Sequence, residues 1–282
     1  MAHIMEMLGK TRVVVEDGKV IEIGEPMIEW CPIFDKVRGI RQFTPEEVKK
    51  NVELRMKDFG LFTKERKLDQ PVFVGFGVTE VMMTGLERDM LDTTVTVCDG
   101  AGTVITSNPS LVQGMGGRIS GLVETEPIDE VINRIESLGG IVLDPSTAKI
   151  DPVEGVKKAA LLGYKRIAVS VIDLDTAIKL HEVESENEID LTVIGAHLTG
   201  IDMEDARELV KHLDIVTACA SRSIRDIVKP LVQVGTSIPL FAITKKGKEL
   251  LLERAKDIDS PILLNTMPLP FFPEQKKPRT PV

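Results

Sequence analysis

The chain has 282 residues, 43% hydrophobic and 28% charged, and its 44 acidic against 35 basic residues leave a net charge of −9. A chain of this length buries roughly 75% of its unfolded surface, so a substantial core forms without staples. The acidic balance argues against a nucleic-acid footprint, which needs clustered Lys and Arg; only Lys276, Lys277 and Arg279 in the tail are locally basic.

No apolar run approaches the roughly 18 residues of a membrane span. The opening MAHIMEMLGK lacks the charged-then-apolar layout of a signal peptide, so the expected location is the cytoplasm. Three cysteines, none in a CxxC pair, do not make a disulfide scaffold, and reduced thiols are expected.

In chain order, RVVVEDGKVIEIG from Arg12 to Gly24 reads as a hairpin turning at Asp17-Gly18. Together with the Cys31 loop WCPIFDK it makes an N-terminal segment, residues 1–43. Thr44-Pro45-Glu46-Glu47 then opens a helix to about Asp58, with Val48, Val52 and Met56 on one face.

Residues 44–150 form a first α/β half. Its elements are a strand Val72 to Val74 ending in Gly75-Phe76-Gly77, a helix Val78 to Met90 and a strand Thr93 to Val97 ending in Cys98-Asp99-Gly100. A helix Ile128 to Leu138 and a strand Ile141 to Leu143 follow.

Residues 151–265 repeat the alternation as a second half. Asp151-Pro152-Val153-Glu154 caps a helix that Gly163 ends. Strands are expected at Arg166 to Val171, Leu191 to Ile194, Ile215 to Ala218, Pro239 to Ile243 and Ile262 to Leu264. Helices are expected at Leu174 to His181, Met203 to Leu213, Ile224 to Leu231 and Lys245 to Ile258, with the acidic run Glu182 to Asp190 a solvated loop. Residues 266–282 are a Pro-rich tail whose Leu269, Phe271 and Phe272 are expected to dock on protein. Strands apolar on both faces between amphipathic helices predict an α/β fold: a mostly parallel sheet with helices on both faces, plus the small N-terminal hairpin.

In such sheets ligands gather at the carboxyl ends of the strands. Cys98 and Cys219 end strands there, and Cys31 lies outside any periodic element. With His197 after its own strand, the three thiols form a candidate set for an iron–sulfur cluster or, alternatively, zinc. His181 and His212 fall within helices and read as surface residues. The glycine-rich stretches supply a candidate anion site: Asp99, Gly100, Gly102 and Thr103 in the first, Gly116, Gly117 and Arg118 in the second, with Ser221 beside Cys219. Neither stretch has Walker or GxGxxG spacing, and no GxSxG occurs.

The segments HIMEMLGKTRVVVEDGKVIEIGEP, WCPIFDKVRGI, VCDGAGTVITSNPSLVQGMGGRISGLVET, DPVEGVKKAALLGYKRIAV and DIVTACASRSIR resemble the methanogenesis marker protein 8 family of archaea, up to about residue 258. The resemblance implies an accessory or maturation protein of methanogenesis, acting alongside methyl-coenzyme M reductase. It transfers no catalytic residue. Three functions are therefore expected in order: such an accessory protein with a metal held by Cys31, Cys98 and Cys219; a small-molecule enzyme with an anionic ligand and a cysteine nucleophile; and a non-catalytic assembly module. The expected partners are further copies of the chain or methanogenesis proteins, with no nucleic acid and no membrane.

Overall fold

The computed structural model describes residues 2–72, 74–279 and 282. Strand β1 (Ala2–Glu6) precedes β2 (Arg12–Glu16) and β3 (Lys19–Ile23). Asp17 and Gly18 take φ of 46° and 70°, the paired left-handed conformation of a type I′ turn, which gives the hairpin expected there. Helix α1 (Pro32–Arg38) follows Cys31 and stops at Gly39. Helix α2 (Pro45–Phe59) starts where Thr44 Oγ1 accepts the Glu47 N–H, and stops at Gly60, whose φ is 68°.

Then come α3 (Val78–Glu87), β4 (Thr93–Cys98), β5 (Gly102–Thr106), α4 (Pro109–Gly116), β6 (Gly121–Glu124), α5 (Asp129–Ser137) and β7 (Ile141–Val142). The second half holds α6 (Pro152–Leu161), β8 (Arg166–Val171), α7 (Leu174–Asn187), β9 (Asp190–Gly195), α8 (Met203–Leu209) and β10 (Ile215–Thr217). It closes with α9 (Arg222–Ile227), β11 (Val232–Val234), β12 (Leu240–Ala242) and α10 (Lys245–Ala255).

The large sheet has the order β11-β12-β10-β9-β8-β4-β5-β7. Its centre, β10-β9-β8-β4, is parallel, while β12, β11, β5 and β7 pair antiparallel at the flanks. The sheet is therefore mixed rather than mostly parallel. One cause lies at Asp99-Gly100-Ala101: Gly100, at φ 81°, lets the chain reverse within three residues, so β5 returns beside β4 with no crossover helix.

Alternate residues of the central strands face opposite layers. Ile167, Val169 and Val193 pack with α6, α7 and α8, whereas Ala168 and Ile194 pack with α3 and α10. Helices thus cover both faces. The hairpin is half of a second, antiparallel sheet of order β3-β2-β1-β6.

Three further local expectations change. The acidic run continues α7 to Asn187, carried by its buried Leu180 and Val183. Ile262 to Leu264 form no strand and stand exposed, having no neighbour to pair with. Within Val72 to Val74, Phe73 lies outside the described residues, and Val72 and Val74 belong to no strand. Among the described residues no helix is long and apolar enough to cross a membrane.

Candidate functional site

The carboxyl ends of β4, β8, β9 and β10 open onto a cavity of about 530 Å³. Its body is aliphatic, with Val97, Ile119, Leu122, Ile150 and Val171 among the walls. Hydroxyls from Thr79, Thr96, Thr103, Ser120, Ser170 and Thr217 stud it. Helix α3 enters with Gly77 as its N-cap, and α7 with Asp173, so N-terminal backbone N–H groups border the space.

Two residues at adjacent strand ends are bent into the left-handed region: His197 after β9 at φ 58° and Cys219 after β10 at φ 40°. Neither is glycine, and such backbone costs about 1–2 kcal/mol per residue. Both line the cavity. Strain of this kind collects where a side chain must be aimed rather than where packing is easiest.

His197 Nε2 lies 2.6 Å from Glu6 Oε2, a residue of β1 in the small sheet. Burial alone would raise the Glu6 carboxyl, but the His197 hydrogen bond and charge, with Lys10 nearby, outweigh it and hold Glu6 below its usual value. An ionised carboxylate only accepts, so Nε2 is the ring nitrogen that donates to Glu6, and the contact fixes the orientation of the imidazole. Gly121 makes room for the ring: a Cβ there would stand 2.3 Å from His197 Cδ2 and Nε2.

The other acids of the wall are already engaged. Glu80 is buried, accepting from Gln113 Nε2 at 3.0 Å and Thr79 Oγ1 at 3.1 Å. Asp173 caps α7 through the Thr176 N–H at 2.8 Å and the Thr176 hydroxyl at 2.9 Å. Among the described residues no lysine or arginine lines this cavity.

The sheet does place Cys98 and Cys219 at the same end, yet it keeps them apart. Strands β8 and β9 lie between β4 and β10, and three steps of about 4.8 Å set the strand ends roughly 14 Å apart. Cys98 is fully buried with Val104, Leu111, Met115 and Val131, and burial pushes its thiol far above the usual value. Cys31 instead packs in the small-sheet core beside Ala220. It is a neighbour of Cys219, whose thiol is raised by burial and further by Cys31. Among the described residues no group of three His, Cys, Asp or Glu side chains is placed to hold a metal, so the structure does not bring Cys31, Cys98, Cys219 and His197 into one centre.

The glycine-rich residues divide as well. Asp99 is consumed by a fully buried pair with Arg66 at 2.8 Å, and Gly100 and Gly102 turn the β4–β5 hairpin. Gly102 is pressed against the Ala148 carbonyl, where a Cβ would stand at 2.0 Å. Thr103 reaches the cavity and accepts the Asp151 N–H. Gly116 closes helix α4 against Thr79 rather than forming an open loop, although it and Gly117 touch the cavity. Ser221 caps α9, accepting the Ile224 N–H at 3.2 Å, and is buried. Arg118 lines a second, smaller cavity together with Arg38, Asn51 and Arg55. His181 pairs with Glu184 at 2.7 Å and the His212 carbonyl at 3.0 Å, away from both cavities.

Glu6 and Glu80 were not singled out from the sequence, and neither were Arg38 and Arg55 of the smaller cavity. For Arg55 a local signal existed, since Asn51 and Arg55 lie four apart on α2 next to the Val48 and Val52 face. Glu6 carried none, because its place depends on β1 meeting the end of β9.

These features define a mixed α/β protein with a strand-end cavity lined by His197, which pairs with Glu6. Residues 3–256 match the family described as an uncharacterized protein conserved in archaea (DUF2099), and the chain belongs to that family. It is 51% identical over 280 residues to an uncharacterized protein of Methanocaldococcus jannaschii, covering 98% of each chain.

Proposed function

We propose that the chain is an accessory protein of archaeal methane metabolism. It takes a small organic molecule into the strand-end cavity and uses His197, held by Glu6, to accept a proton from it. The observation that carries this reading is the convergence of two strained strand ends, His197 and Cys219, on one cavity whose imidazole is already oriented by a carboxylate. The aliphatic walls and scattered hydroxyls suit an uncharged, partly hydroxylated body. The archaeal setting rests on the family, on the relative from Methanocaldococcus jannaschii and on the marker-protein resemblance.

Cys219 serves here as a wall residue rather than a nucleophile, since its thiol is raised and so stays protonated near neutral pH. An iron–sulfur or zinc centre draws no support from the donor positions, and we do not carry it forward. Affinity selection from an archaeal small-molecule extract, read by mass spectrometry, tests the proposal. His197→Gln is expected to retain the selected molecule while losing its conversion or its exchange of a carbon-bound proton with solvent. Undiminished exchange in His197→Gln would remove the base role.

A further inference from the structure

Between β1 and β2 the chain turns through Leu8–Lys10, and the last two residues of that turn are left-handed: Gly9 at φ 66° and Lys10 at φ 58°. Glycine is required at position 9, where a Cβ would stand 3.0 Å from both the Ile28 carbonyl oxygen and Phe43 Cδ2. Lys10 has a side chain, so its backbone carries the same kind of strain as His197 and Cys219. The turn is firmly seated: Leu8 and Gly9 are buried, and the Met27 N–H donates to the Gly9 carbonyl at 2.8 Å.

What the bent backbone delivers is the Lys10 ammonium. Its Nζ donates to the Thr199 carbonyl oxygen at 2.7 Å, although 189 positions separate the two residues. The same nitrogen stands 3.9 Å from Glu6 Oε2, the oxygen that His197 Nε2 meets at 2.6 Å. One cation therefore grips the backbone two residues beyond His197 and borders the carboxylate that orients its ring. Less than a third of each of the Lys10, Glu6 and His197 side chains is exposed, so solvent screens these contacts only in part.

Thr199 carries the grip to the second strand end. Its Oγ1 accepts the Ala220 N–H at 3.4 Å, immediately after Cys219. Met27 closes the loop from the same side: a Cβ on Gly200 would stand 2.7 Å from Met27 Cε. A non-glycine residue stays left-handed only where its surroundings over-determine it. Glu6 fixes the far end of the His197 side chain, and Lys10 fixes the backbone that follows.

We propose that Lys10 is a positioning residue of the strand-end site: it holds the 197–199 loop in the bent conformation that keeps the His197 imidazole in the cavity wall. Lys10 is not part of that wall and acts through His197. The proposal rests on the reading of His197 as the working group of the cavity, but its test reads the position of the ring alone.

The ring edge lies against Gly121, since a Cβ there would stand 2.3 Å from His197 Cδ2 and Nε2. Nuclear magnetic resonance of the full chain with labelled histidine and glycine should therefore show a strong cross-peak between His197 Hδ2 and the Gly121 Hα protons. Lys10→Met is expected to reduce that cross-peak at least twofold. Lys10→Arg keeps a cation and a donor and is expected to retain it. Lys10→Gln, which keeps a neutral donor, replaces Lys10→Met if the latter does not fold, with the same loss expected. A lower melting temperature would follow from any lost contact, whereas loss of the cross-peak with rescue by arginine reports the ring itself. An unchanged cross-peak in the folded Met or Gln variant, or a loss in Lys10→Arg as large as theirs, overturns the proposal. Failure of the base role shows differently, as undiminished proton exchange in His197→Gln with the cross-peaks behaving as expected.

Discussion

His197 Nε2 and Glu6 Oε2 stand 2.6 Å apart although 191 positions separate them in the chain. The contact joins the end of the large sheet to the small one and fixes the imidazole within the cavity wall. Because Glu6 is held below its usual value, its contribution to stability is fully present above the unfolded value of 4.5 and is lost as pH falls through the lower folded value. Wild type should therefore lose melting temperature more steeply than Glu6→Gln on acidification from pH 5. Parallel acid limbs in the two proteins would show that the pair is not maintained in solution.

Arg66 and Asp99 form the second defining pair, with neither side chain exposed. Arg66 also donates to the Gly114 carbonyl at 3.1 Å and the Met115 carbonyl at 2.7 Å, while Asp99 accepts the Phe62 N–H at 2.8 Å. Removing one partner strands a charge in the core. Asp99→Asn or Arg66→Met should each cost about 3–5 kcal/mol in denaturant unfolding. The double variant Arg66→Met/Asp99→Leu should cost less than the sum of two such single removals.

Thiol chemistry separates the three cysteines. Cys98 has no exposure and a strongly raised pKa, so native protein at pH 8 should leave it unmodified by an aromatic disulfide reagent until denaturant is added. Rapid native labelling of Cys98, followed by peptide mass spectrometry, would contradict its placement beneath α4 and α5. Anaerobically purified protein carrying stoichiometric iron, sulfide or zinc would show that the thiols meet in a way the fold does not provide.

Much of this architecture was legible locally. Thr44-Pro45, Asp151-Pro152 and Asp17-Gly18 each announce an element boundary, because a cap, a fixed φ or a left-handed turn needs only its immediate neighbours. The strand Arg166 to Val171 reads directly from its β-branched, apolar run. Strand order does not read in the same way. The sequence places Cys98 and Cys219 at strand ends, but only the insertion of β8 and β9 between their strands decides that the thiols stay apart. Likewise Gly116 looked like part of a ligand loop, whereas α4 needs it for close approach: a Cβ there would stand 2.1 Å from Thr79 Cγ2. Close packing and ligand approach select the same residue. The candidate site was thus legible as a strand-end location and in His197, and illegible in Glu6, whose role comes from tertiary contact.

The tail docks on its own chain through Phe272, Arg279 and Val282, whereas Phe271, expected to dock with it, stands 45% exposed. Phe272 sets its edge against Phe241 at 5.9 Å beneath Arg225, and Trp30 and Arg279 exchange backbone hydrogen bonds of 2.8 and 2.9 Å. Val282 donates to the Ala220 carbonyl at 3.0 Å, next to Cys219. Truncation after Leu264 should lower the melting temperature, at about 2–4 °C per kcal/mol lost, without changing the elution volume. A truncated protein that melts like wild type would show that these contacts contribute nothing.

The most direct measurement concerns the strand-end cavity. Ser170 lines it on β8, and Ser170→Leu inserts an apolar side chain into the open space while Gly121, His197 and Glu6 are left in place. Wild type and Ser170→Leu, matched for melting temperature and circular dichroism, are each exposed to the same archaeal small-molecule extract, and the retained molecules are weighed by mass spectrometry. A molecule retained by wild type and lost from Ser170→Leu is the predicted result. Identical retained sets, or none from wild type, would contradict a ligand in this cavity.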